Sequence, residues 1–186
     1  MEKIKVLVIV NLYIILSASS CIRVRNESLD DKLMLEKINY KGNELRIDGY
    51  YCRFNYVSKE TEPRGVIPFI FYRNGIILGD VGVTMDRISE MEETFRNGFY
   101  VNNSKKYYWG VFQINGTQIK YEKWVAGDTP FSAFTYEGEI LNDTTFVINK
   151  GYRMKNAGKK APLELNWEYH FKQFSPKPDS TNRFIP

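Results

Sequence analysis

From Leu163 to Lys172 the chain alternates without interruption. Leu163, Leu165, Trp167, Tyr169 and Phe171 fall on one side, and Glu164, Asn166, Glu168, His170 and Lys172 on the other. A period of two is the side-chain repeat of a strand, and it commits one face to packing. The same period begins near Leu45, where Tyr50, Cys52, Phe54 and Tyr56 alternate with Tyr51, Arg53, Asn55 and Val57. Further strands are expected over 66–72, 76–78, 107–114, 117–124, 131–140 and 144–152. Aromatic residues make up 15% of the chain, mostly Tyr and Phe, which favour a pleated, half-buried surface.

The connections support this reading. Asn74-Gly75 and Asn115-Gly116 each sit between apolar runs, a strong short-range hairpin signal. Only 84–97 departs from the two-residue repeat. There Met85, Ile88, Met91 and Phe95 recur at helical spacing, with Thr84 placed to cap the start and Gly98 to end it. About eight antiparallel strands joined by short turns, with one amphipathic helix, predict a mainly β fold. The expected form is an up-and-down, lipocalin-like barrel or half-barrel, because closure removes exposed edges.

The start of the chain has a different character. Lys3 and Lys5 precede an apolar run from Val6 to Leu16, which is too short to span a bilayer and is followed by small residues. Leu16-Ser17-Ala18-Ser19-Ser20-Cys21 resembles the lipobox of bacterial lipoproteins. The resemblance implies a signal peptide over 1–20 and acyl chains on Cys21. Each buried CH₂ of such a chain gains about 0.8 kcal/mol, so a few chains hold a domain at a membrane. Ile22 after the cysteine resembles the pattern sorted to the outer membrane. A tether is then expected over 21–43, the barrel domain over 44–174, and an extended tail over 175–186. With Cys21 modified, Cys52 has no partner within the chain and reads as a small apolar residue.

Three segments carry a further resemblance: Trp109-Gly110-Val111-Phe112-Gln113-Ile114-Asn115-Gly116-Thr117-Gln118-Ile119, Tyr136-Glu137-Gly138-Glu139-Ile140 and Asn142-Asp143-Thr144-Thr145-Phe146. Together they look like the lipocalin-like β-barrel lipoproteins of uncharacterised bacterial families, over roughly residues 45 to 180. The likeness implies the fold and brings no catalytic residues.

Chemistry-bearing patterns are sparse. The single histidine, His170, falls on the polar face of its strand beside Glu168, with no nucleophile in the pattern. No spacing suits a metal or a phosphate cradle, so neither metal nor cofactor is expected. Glu137 and Glu139 share a strand face and suit cross-strand ion pairing. The formal net charge of +4 is spread along the chain rather than gathered in a stripe, which argues against nucleic acid. The expectation is a non-catalytic module at the bacterial envelope, held to the membrane by its acyl anchor, that takes a small apolar ligand. Tyr50, Phe54, Trp109, Trp124 and Trp167 are the candidate lining residues, since such pockets favour aromatic walls. The alternative is a structural or assembly lipoprotein that contacts other envelope proteins.

Overall fold

The computed structural model describes residues 29–56, 62–79, 82–99, 105–127, 130–153 and 161–186. Its strands are β1 (Gly49–Asn55), β2 (Gly65–Phe71), β3 (Ile76–Gly79), β4 (Val83–Thr84), β5 (Trp109–Asn115), β6 (Gln118–Trp124), β7 (Ala133–Asn142), β8 (Thr145–Tyr152) and β9 (Leu163–Gln173). Helix α1 (Ile88–Arg96) follows β4 through a short 3₁₀ turn, Met85–Arg87. All pairings are antiparallel, and β1 pairs with both β9 and β2. The sheet is therefore a closed barrel of eight strands. The ninth segment, β4, lies along the same edge of β2 as β3 and acts as its continuation: Phe69 faces Gly79 and Gly65 faces Thr84.

The alternation seen in the sequence becomes inside and outside. Tyr51, Phe69, Phe71, Phe112, Tyr121, Phe146 and Tyr169 turn inward and are nearly inaccessible. The Phe71 ring meets those of Tyr51, Phe112 and Phe146 edge-on, with centroids 5.5, 4.9 and 5.6 Å away. Phe146 stacks on Tyr169 at 4.6 Å. Such pairs add about 0.5–1.5 kcal/mol each beyond their burial.

The outer face of the wall is also covered, which gives the protein a second core. Helix α1 lays Met91 and Phe95 on it. Phe95, Tyr50 and Phe174 form a triangle of rings 5.7–5.9 Å apart. Thr84 precedes the helical segment but makes no side-chain capping bond, while Gly98 follows with φ +70°, a glycine-favoured conformation.

The two ends of the barrel differ. The tight turns at 72–75, 115–118 and 142–145 lie at one end, and the longer connections at the other. At the β5–β6 turn Asn115 still pairs with Gln118, so Gly116 and Thr117 form the loop and Gly116 takes the positive φ of 58°. The asparagine thus closes the ladder instead of turning it.

A strap formed by residues 30–45 runs from the long-loop end to the tight-turn end. Asp31 N–H donates to Phe131 O at 2.9 Å at the first end, and Tyr40 N–H donates to Arg73 O at 2.8 Å at the second. Between them the buried Glu122 carboxylate accepts from Met34 and Leu35 N–H at 2.6 and 2.7 Å. Tyr40 and Leu45 then plug the tight-turn end, joined by a Leu45 N–H to Tyr40 hydroxyl bond of 2.8 Å. The extended tail packs too: Phe174 and Ile185 are buried in the outer core, and the Tyr72 hydroxyl donates to Pro178 O at 3.0 Å.

Candidate functional site

With one end plugged, the barrel interior opens at the other, where a cavity of about 200 Å³ lies among the strand ends. Its walls are the mouthward inward residues: Arg53 of β1, Ile67 and Phe69 of β2, Gly79 of β3, Tyr121 and Lys123 of β6, Tyr136 of β7, and Trp167 and Tyr169 of β9. Tyr107, Trp124, Val125 and Ala126 form its rim. Gly79 keeps the space open, since a Cβ there would sit 2.9 Å from the Phe69 ring and 3.0 Å from Lys123 Nζ.

The rings form a partly parallel stack. Tyr121 and Tyr136 lie 4.8 Å apart at 24°, and Tyr136 and Trp167 5.5 Å apart at 33°. Arg53 caps the series, its Cζ 4.0 Å from the Trp167 ring centre, a cation–π contact. Arg53 Nε is inaccessible to solvent and has no hydrogen-bond partner among the described residues. Lys123 Nζ donates to Gly79 O at 3.1 Å and lies 5.1 Å from the Phe69 ring centre. Burial holds the Tyr121 hydroxyl well above its ordinary pKa and pushes that of Tyr136 up to about 12. Burial also raises Tyr169, with Arg53 pulling the other way. These hydroxyls are therefore protonated at neutral pH.

Two of the five aromatic residues singled out from the sequence reach this cavity: Trp167 in its wall and Trp124 at its rim. Tyr50 and Trp109 point outward into the second core, and Phe54 lies on the outer face 6.2 Å from the His170 ring. Tyr50 instead donates its hydroxyl to Glu92 at 2.8 Å, tying α1 to the wall. Arg53, Tyr121, Lys123 and Tyr136 were not singled out. Their signal was present in the form Tyr51-x-Arg53 and Tyr121-x-Lys123, a cation two residues after a ring on the same strand face.

Cys21 and the leader lie outside the described residues. Cys52 packs against the outer core, and burial raises its thiol pKa. His170 is half exposed, 3.2 Å from Glu168. Glu137 takes the cross-strand role, pairing with Lys120 at 2.8 Å.

A larger groove of about 420 Å³ lies outside the barrel, between strap and tail. Its carboxylates are already engaged: Asp30 with Lys106 at 3.0 Å and Asp31 with Arg153 at 2.7 Å. It therefore reads as the seam between two terminal segments, and the barrel mouth is the better site. Among the described residues no cluster could hold a metal ion, and no helix is long and apolar enough to cross a membrane. No family model, curated protein or solved structure matches the chain.

Proposed function

We propose that this protein is a non-catalytic binding module, lipid-anchored through Cys21 at a bacterial envelope, that takes a small, flat, largely apolar ligand into the mouth of its barrel. The observation that carries the reading is the ring-lined cavity in a barrel otherwise filled to the plug. Its size sets the scale of the ligand. A cavity of about 150 Å³ holds one benzene ring, whereas drug-sized ligands occupy about 300–1,000 Å³. A single ring with one substituent fits this range.

The described strap begins at the mouth end of the barrel. The strap starts at Asp30, beside the β6–β7 connection that forms part of the rim. The residues between Cys21 and Asp30 reach at most about 30 Å even fully extended. A lipid on Cys21 would therefore keep the mouth close to the membrane surface.

Titrating the purified protein with p-cresol and benzamide, followed by ligand-observed and protein-observed NMR, tests the binding half. Saturable uptake is expected, with chemical-shift changes at the Trp167 indole. Uptake that stays linear to the solubility limit would rule the reading out. Cys21→Ser tests the anchor: the protein should move from the membrane to the soluble fraction, and a variant still held at the membrane would refute lipid attachment.

A further inference from the structure

We infer that the ligand taken at the barrel mouth carries a carboxylate, which pairs with Arg53 while its ring enters the Tyr121–Tyr136–Trp167 stack. The inference rests on the binding reading above and names the chemical class of its ligand. A guanidinium in this position is unusual, because a buried donor without a partner costs free energy that folding must recover elsewhere. Arg53 lines the cavity with its Cζ 4.0 Å from the Trp167 ring centre, and its Nε is inaccessible to solvent and has no acceptor among the described residues. No aspartate or glutamate is among the described residues that line the cavity.

The geometry explains why a carboxylate suits this vacancy. A guanidinium presents a planar fork of N–H donors that matches two carboxylate oxygens, and such charge-assisted bonds are about twice as strong as neutral ones. Arg53 lies over the Trp167 ring, so its guanidinium and the ring stack border the same volume. A planar aryl carboxylate would satisfy both at once, with its ring against the tyrosines and its oxygens at the fork. The protonated Tyr121 and Tyr136 hydroxyls do not repel it, and the Lys123 ammonium adds favourable charge at the same wall.

Benzoate and benzamide have nearly the same shape and differ in charge, which makes them the probes of choice. Calorimetric or NMR titration of the purified protein should give benzoate a lower Kd by about tenfold, equivalent to about 1.4 kcal/mol. In Arg53→Gln the benzoate-to-benzamide ratio should collapse to about one, whatever the change in benzamide affinity itself. Arg53→Lys should keep part of the preference, because it retains charge but loses the fork. Equal affinities for the two probes in the wild-type protein would overturn the inference, and that comparison requires no variant to fold. A preference that survives in Arg53→Gln would overturn it too. If benzamide and p-cresol bind but benzoate gains nothing, the binding module stands and the anion does not. If none of the three binds, both readings fall.

Discussion

The strap should be a structural part of the barrel rather than a loose leader, and Asp30→Ala is the sharpest test. The Asp30 side chain is fully buried. One carboxylate oxygen accepts the Phe131 backbone N–H at 2.7 Å, a buried bond, and the other takes Lys106 Nζ at 3.0 Å. Alanine leaves the Phe131 N–H without that acceptor, a loss of about 1–3 kcal/mol. It also strips Lys106 of its carboxylate, and breaking a buried pair from one side costs about 3–5 kcal/mol in all. Lys106 is slightly exposed and stays 4.5 Å from the Trp124 ring centre, which places the cost at the lower end of that range. The expected loss is about 3 kcal/mol, or a fall in Tm of about 6–12 °C for a chain of this size. Asp30→Asn should cost less, because its amide oxygen still accepts from Phe131. Urea unfolding followed by tryptophan fluorescence measures both. Glu122→Ala clamps the same strap from another side, so the double variant should lose less than the sum of the two singles. A cost below about 1 kcal/mol for Asp30→Ala, with strict additivity, would mean that the strap contributes nothing to holding the barrel.

Gly138→Ala should destabilise by about 3 kcal/mol or more through overpacking, since its Cβ would lie 1.9 Å from Val147 O and 2.8 Å from Ile148 Cα, backbone atoms that have no rotamer to yield. Gly98→Ala meets nothing within 4 Å and is strained only by its φ of +70°, so its cost in the same unfolding assay should be about 1 kcal/mol. Burial lowers Lys177 to about 8 from an ordinary value of 10.5. Between those values the unfolded chain binds more protons than the folded one, so this group makes stability rise with pH across the window. The rise should be about 1–2 kcal/mol once partial exposure is allowed for. Comparing melts of the wild type and Lys177→Met from pH 7 to 10 isolates it from the buried Cys52 and Tyr72, whose raised pKa values act in the opposite sense. Parallel curves for the two proteins would refute the assignment.

The strands and the helix were legible because each depends on local pattern. Leu165, Trp167, Tyr169 and Phe171 do share one face, and Met91 and Phe95 do share one side of α1. On β1 and β5 which face points inward was not legible, because both faces carry apolar residues. Tyr50 and Tyr51 are adjacent, point opposite ways, and are 2% and 1% exposed. The outer face is buried only because α1, the strap and the tail cover it, and those contacts span long sequence separations. Met34 and Glu122 are 88 residues apart. Closure likewise depends on β1 meeting both β9 and β2, which no local repeat encodes. This is why Tyr50 and Trp109 looked like lining residues and belong to the second core, while Arg53, which was not singled out, belongs to the cavity.

The cavity arises from a gradient along the barrel axis, not from a single missing side chain. Toward the mouth β2 passes from Phe71 through Phe69 to Ile67, and β3 from Ile77 to Gly79. Over the same distance β1 exchanges Tyr51 for Arg53 and β6 exchanges Tyr121 for Lys123. The first pair of strands loses volume and the second gains charge. Long basic side chains at a barrel rim have an ordinary use, in which the stem covers apolar wall and the head reaches water. Lys123 instead donates to Gly79 O at 3.1 Å, its head held at the wall. Arg53 does not follow that pattern either, since its head lies over the Trp167 ring and its Nε is shut off from solvent. A chain that needed only a solvated rim could place a glutamine or a second lysine there without leaving a donor unmatched. The loss of bulk and the gain of a planar cation with no carboxylate beside it among the described lining residues converge on one volume, and a flat anionic ring satisfies both.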